Sequence, residues 1–251
     1  MSVLITGAAA GLARGIAASL AQHGFAPLAL TFRPEGTPPD ATLELVRRHD
    51  ARVTAHPIDF FEPWDVVERA LQIVIEQAGP FAGLVHAVGP MTVKRFDRTD
   101  SNDYAEMIDG NLRSAVQACA AVLPGMRERG YGRIVLFALN GSEETRPVRG
   151  LTLHAAAKSG VVAFARSLAQ EEAKHGITVN IVEPGDIREK YADRAQARTV
   201  PANNPRGRAG SWEDVADVVR FLLDERRDFV TGAVVVVNGG LVETHERNAK
   251  P

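Results

Sequence analysis

The chain has 251 residues, is 45% hydrophobic, and sets 29 Lys+Arg against 31 Asp+Glu for a formal net charge of -2 at pH 7. That length carries one large α/β domain or two small ones with a substantial core, which excludes disorder as the main state; the near balance of charge excludes a global pull toward nucleic acid or an anionic membrane. The one cysteine, Cys119, excludes an intrachain disulfide framework and a Cys-rich zinc site and fits a reducing cytoplasm.

The first twenty residues are apolar, but no cationic cluster opens them and Arg14 falls inside the apolar stretch, so the chain is read as not exported. No run approaches the roughly 18 to 20 uninterrupted apolar residues of a membrane span. Strand-length apolar runs at 2–6, 27–32, 52–57, 82–87, 132–138, 177–182 and 233–237 alternate with amphipathic stretches of helix length. The alternation predicts a single Rossmann-like, doubly wound α/β domain over 1–251, with a parallel sheet of about seven strands flanked by helices. Pro63 is predicted in the first turn of a helix that stops at Gly79-Pro80, and continuous helices are predicted over Ser101–Met126 and Leu153–Ala173. Residues 186–210 mix charges with Pro201, Asn203, Asn204 and Pro205 and read as a long mobile segment over a substrate site; 242–251 read as a polar tail.

Thr6-Gly7-Ala8-Ala9-Ala10-Gly11-Leu12-Ala13 runs from the first strand through a turn into a helix beginning near Leu12. Small residues let the backbone approach a pyrophosphate, whose charge the free amides and the positive helix end favour; the other reading is a plain strand-to-helix turn. Farther on stand Ile58-Asp59-Phe60, His86-Ala87-Val88-Gly89, Asn111, His154-Ala155-Ala156-Ala157-Lys158, Asn180, Pro184-Gly185 and Asn238-Gly239-Gly240.

In order and spacing, over almost the whole length, these segments resemble the classical short-chain dehydrogenase/reductase (SDR) family, whose fingerprint is Thr-Gly-x-x-x-Gly-x-Gly. Ala13 stands in place of the last glycine. The resemblance implies a dinucleotide site built from Thr6, Gly7, Ala10, Gly11, Leu12, Asp59, His86, Ala87, Gly89, Lys158, Pro184, Gly185 and Ile187. Phe32 takes the place of the acid that an NAD enzyme offers the ribose, and Arg33 can pair with a 2′-phosphate, so NADP(H) is favoured over NAD(H); the other reading is a solvated arginine.

Family enzymes use Asn, Ser, Tyr and Lys in catalysis. Asn111 and Lys158 match, but His154 occupies the tyrosine position, which makes the active site atypical, and Leu139 occupies the serine position. Ser142 is the nearest replacement, as a catalytic hydroxyl or as a surface turn residue. His154 is either a proton relay or a noncatalytic replacement, since nearby Lys158 discourages its protonation. His86 contacts the nicotinamide-side ribose, supports the central helix, or is a satisfied interior histidine. Glu189, where the family has a threonine that touches the cofactor carboxamide, either accepts a bond from that amide or faces solvent; Arg188 and Tyr191 are candidates for the substrate mouth, with Tyr191 also a candidate replacement acid. No third ligand accompanies the two histidines, so no metal is predicted.

The expected function is an SDR-like oxidoreductase transferring hydride between NADP(H) and a carbonyl or alcohol substrate, with altered catalytic machinery. The alternative is a noncatalytic NAD(P)-binding sensor or partner subunit. Reduction of a carbon-carbon double bond is a third reading, with no donor assigned. The expected partners are a small-molecule substrate and further copies of the chain, as a homodimer or homotetramer, with no nucleic acid and no membrane; the apolar faces of the two long helices are read as interface or core. Arg127, Arg129 and Arg133, and likewise Arg226 and Arg227, read as solvated basic faces, and Cys119 as core.

Overall fold

The structure, a computed structural model, describes residues 1–187 and 193–241. Arg188, Glu189, Tyr191 and the tail 242–251 lie outside the described residues. Seven strands, β1 (Val3–Thr6), β2 (Leu28–Phe32), β3 (Val53–Pro57), β4 (Gly83–His86), β5 (Gly132–Phe137), β6 (Ile177–Pro184) and β7 (Val234–Val237), form one sheet in the order β3-β2-β1-β4-β5-β6-β7. Every pairing is parallel. The central strands read as unbroken apolar runs because both faces of the sheet are covered.

Side-chain alternation along the strands divides the interior into two cores. Val3, Ile5, Val135 and Val182 face α1 (Gly11–Gln22), α2 (Asp40–Arg47) and α8 (Trp212–Leu223). Leu4, Ile134, Val179 and Ile181 face α3 (Trp64–Ala78), α5 (Ser114–Arg129) and α6 (Thr152–Glu172). The architecture is the Rossmann-like α/β fold. Strand order reverses between β1 and β4, which opens a crevice at the carboxyl ends of the strands, where open parallel sheets hold their ligands.

Pro63 stands immediately before the first residue of α3, and Gly79 follows its last. The helix expected to run unbroken from Ser101 is interrupted: α4 (Ser101–Ile108) passes through a π-helical turn, Asp109–Arg113, before α5 begins. The turn is closely packed at Gly110, where a Cβ would sit 2.6 Å from Pro90 Cγ and 2.9 Å from Phe61 Cζ. The turn widens the helix at Asn111, in the manner of π-bulges at functional sites.

Arg133 corrects the expectation of a solvated basic face: it is 2% exposed. Its guanidinium donates to the carbonyls of Gly132 (2.8 Å), Gly176 (3.1 Å) and Glu225 (3.0 Å) and lies 4.4 Å from the Tyr131 ring centroid. It thereby joins β5, the turn before β6 and the segment after α8 at the end of the sheet opposite the crevice. The described part of 186–210 contains the short helix α7 (Arg194–Ala197) and is tied to α8: Arg208 donates to both carboxylate oxygens of Asp214 (2.9 and 3.1 Å), and Arg194 Nε donates to the same carboxylate. Among the described residues no helix is long and apolar enough to cross a membrane.

Candidate active site

The crevice starts where β1 delivers Thr6 to the loop before α1. Gly7 and Gly11 have φ of 68° and 62°, values that favour glycine. The loop's carbonyls are held inward: Thr42 Oγ1 donates to Ala8 O (2.8 Å), and Arg14 donates to Ala9 O (2.7 Å). Ala10 precedes α1 in an extended conformation and offers no capping side chain, and no acid stands in the first turn. No side-chain carboxylate of the first turn therefore opposes an anion at the positive end of the helix. Ala13, the departure from the fingerprint, is buried within the α1 core. The close approach that a glycine permits occurs at Gly15, where a Cβ would lie 2.6 Å from the Trp212 indole.

Two adjoining cavities share Ala87, Val88 and Gly89. One, of about 310 Å³, is lined on the β2 side by Gly7, Phe32, Arg33 and Asp59. Arg33 Nε donates to Asp59 Oδ2 at 3.0 Å while its Cζ lies 4.9 Å from the Phe61 ring centroid, and the arginine side chain is 54% exposed. The other, of about 380 Å³, is lined by Ala10, Gly11, Leu12, Lys158 and Pro184. Gly185 and Ile187 line a separate cavity near Asn204 and Asn238.

Asn111, Gly89, His154 and Lys158 converge around Pro90. Asn111 Nδ2 donates to Met107 O (2.9 Å) and Pro90 O (3.1 Å), which leaves its buried Oδ1 without a partner among the described residues. A Cβ on Gly89 would sit 3.0 Å from both Asn111 Oδ1 and Lys158 Nζ, so only glycine leaves this cradle open. Lys158 is 7% exposed, and Nζ donates to Phe137 O at 3.0 Å. Burial lowers its pKa to about 8. His154, one turn earlier on α6, is also buried; burial first and the Lys158 charge second lower its pKa to about 4, against a hydrogen bond to the Pro90 backbone that favours the charged form. Its Nδ1 has no partner among the described residues.

His86 lies behind this cluster and is fully engaged. Ser114 Oγ donates to Gly110 O (2.9 Å), so it accepts from His86 Nε2 (3.0 Å), and Nδ1 in turn accepts from Thr6 Oγ1 (2.8 Å). Burial and the charge of Lys158 lower the His86 pKa to about 3, which keeps this tautomer neutral. Thr6 also accepts from Ala87 N at 3.2 Å. The chain of bonds joins the phosphate loop to the π-turn that carries Asn111.

Ser142 is buried, contrary to its reading as a surface turn residue: its hydroxyl accepts from Leu139 N at 3.2 Å, and it lines neither cavity of the crevice. The sequence reading missed Glu183, which stands buried at the end of β6 and accepts from Gly141 N and Glu143 N, each at 2.8 Å, so that its carboxylate holds the loop after β5. Burial raises its pKa more than those two bonds lower it. One acid in the otherwise uncharged run Ile177–Pro184 is the signal that marks it. Among the described residues no group of three or more His, Cys, Asp or Glu is gathered as a metal site requires.

Comparison with known proteins agrees with this geometry. The family model described as enoyl-(acyl carrier protein) reductase matches residues 7–242. The 3-oxoacyl-(acyl-carrier-protein) reductase FabG of Vibrio harveyi is 31% identical over 242 residues, spanning 95% of this chain and 96% of the relative. The acetoacetyl-CoA reductase of Allochromatium vinosum is 28% identical over 247 residues, spanning 95% and 97%. Among solved structures, levodione reductase superposes with a TM-score of 0.83 at 29% identity, covering 95% of this chain and 96% of that one. With its parallel sheet, the glycine-bearing turn after β1 and the lysine of α6, the chain belongs to the classical short-chain dehydrogenase/reductase family.

Proposed function

We propose that the protein is a nicotinamide-dinucleotide-dependent oxidoreductase that interconverts a carbonyl and an alcohol on a small molecule, with NADP(H) preferred over NAD(H). The observation that carries this reading is the crevice that runs from Arg33, past the start of α1, to Lys158. The open cradle at Gly89 and the unpartnered Asn111 Oδ1 fit a polar group held there. When bound, the dinucleotide supplies hydride exchange at the nicotinamide. Gly7, Ala10, Gly11 and Leu12 form the turn for its phosphates, with Thr6 and His86 bracing that turn from behind. Asp59, Ala87, Gly89 and Pro184 border the remainder, Gly185 and Ile187 lie in the adjacent separate cavity, and Lys158 lies at the reacting end.

Cofactor choice falls to Arg33. Its Nε is engaged by Asp59, and the exposed guanidinium still offers a fork to a 2′-phosphate, while Phe32 offers the ribose no carboxylate. Titration with NADPH and NADH, followed by a panel of carbonyl substrates, tests the reading; equal or tighter binding of NADH contradicts the preference. Light scattering tests the accompanying reading of a homodimer or homotetramer, which the exposed Phe96, Tyr104 and Phe229 support and a monomer contradicts. Residence in the cytoplasm goes with the lone buried Cys119.

A second reading, a noncatalytic NAD(P)-binding sensor or partner subunit, draws on His154: a neutral buried imidazole is a weak acid where the family has a phenol. Tight dinucleotide binding with turnover only in His154→Tyr is its signature.

A further inference from the structure

We propose that Asn204 is a positioning residue for the reacting end of the crevice: its side-chain amide clasps Asp186 in a left-handed backbone conformation and so fixes the chain that leaves Pro184. The inference rests on the oxidoreductase reading above and extends it from the crevice to the wall beside it.

Pro184 ends β6 and lines the 380 Å³ cavity together with Lys158. Two residues later Asp186 has a φ of 56°, a conformation that is costly for a residue with a Cβ and persists only where surrounding contacts hold it. Asn204 supplies such a contact. Its Nδ2 donates to Asp186 Oδ2 at 2.7 Å and to Arg208 O at 2.8 Å, so both amide protons are engaged and the bond to Asp186 is charge-assisted. The Asp186 carbonyl in turn accepts from Gly210 N at 3.1 Å. Side chain and backbone of Asp186 are thus both tied to residues 204–210.

Those residues are themselves anchored. Arg208 holds the Asp214 carboxylate of α8 with two bonds, and Arg206 N donates to Gly239 O at 3.1 Å. Gly207, with a φ of 68°, closes the turn by donating its N–H to Asn204 O at 2.8 Å. Two further glycines make room for the clasp: a Cβ on Gly239 would lie 2.9 Å from Asn204 Oδ1, and one on Gly210 would overlap Ile187 Cδ1. A continuous line of contacts therefore runs from α8 through Arg208, Asn204 and Asp186 to Pro184. The cavity of about 200 Å³ beside it, lined by Gly185, Ile187, Asn204 and Arg206, shares no lining residue with the two cavities of the crevice. Loss of the clasp shifts the chain at Pro184 and leaves Arg33 and the turn after β1 where they are.

A two-residue cycle tests this. Asn204→Ala is expected to lower kcat/KM for carbonyl reduction by about tenfold or more, while the NADPH Kd moves by less than about threefold. Asp186→Gly takes the positive φ at no steric cost and no longer needs the clasp, so it is expected to keep kcat/KM within about threefold of wild type. In the Asp186→Gly background, Asn204→Ala should then lose less than about threefold, a non-additivity that a purely packing role does not produce. Hydrogen exchange reads the same clasp without turnover: the Gly210 amide should exchange about tenfold faster or more in Asn204→Ala, and the double variant should match Asp186→Gly alone within about threefold. An Asn204→Ala loss that is equally large in both backgrounds overturns the proposal, as does an Asn204→Ala protein with unchanged kcat/KM or an unchanged Gly210 rate. A wild-type protein that binds NADPH and turns over no carbonyl overturns the oxidoreductase reading, and the Gly210 rates alone then support or overturn the clasp, which tells the two failures apart.

Discussion

Arg33, just after β2, and Glu183, near the end of β6, show what single side chains do at the carboxyl ends of the strands. Arg33 is half exposed and paired with Asp59, so its value to folding is small, and its consequence lies in what the fork can hold. Arg33→Ser is expected to weaken NADPH binding by about tenfold or more and to change NADH binding by less than about threefold, read by fluorescence titration. Glu183 is buried and satisfies two backbone amides of the loop after β5. Glu183→Ala leaves both amides without an acceptor and is expected to cost about 1–3 kcal/mol of stability by urea unfolding, with faster hydrogen exchange at Gly141 and Glu143 than elsewhere in the sheet.

At the scale of elements, the π-turn between α4 and α5 is the device that brings Asn111 to Gly89 and Lys158. Gly110→Ala drives a methyl into Pro90 and Phe61, and is expected to cost about 1–3 kcal/mol and to lower turnover more than the destabilisation alone explains. Circular dichroism melts alongside steady-state kinetics would separate the two effects. The strands were legible within a residue or two, because strands buried on both faces are unbroken apolar runs bounded by turn residues. The turn from β1 into α1 was equally legible, since its glycines answer a local backbone requirement. The π-turn was not: a helical period continues through it, and the residues packed against it, Pro90 and Phe61, are distant in sequence. Ser142 and Arg133 escaped for the same reason, because burial of a polar residue depends on which carbonyls and amides the fold brings to it. His86 was left among three readings by its sequence, a ribose contact, a support of the central helix or a satisfied interior residue, and the hydroxyls of Thr6 and Ser114 on either side of its ring make it an interior bridge to the start of α5.

Across the whole molecule, polar bridges hold the two ends of the sheet. Arg133 binds three carbonyls at the end opposite the crevice; Arg133→Ala is expected to cost about 2–4 kcal/mol, measured by urea unfolding, with nucleotide affinity changed by less than about twofold. His86 and His154 set the response to acid. Their folded pKa values, about 3 and about 4, lie below the unfolded value near 6.5, so between these limits the unfolded chain binds more protons and stability falls as pH falls. The loss between pH 6.5 and 4 is expected to reach a few kcal/mol, and His86→Gln should flatten the slope. The central claim, that the crevice is an NADP(H) site serving an oxidoreductase, is tested most directly by titrating the wild-type protein with NADPH and NADH side by side and recording nicotinamide absorbance over a carbonyl panel. The account predicts NADPH binding at least about tenfold tighter, with turnover of at least one carbonyl; binding of neither dinucleotide would contradict it.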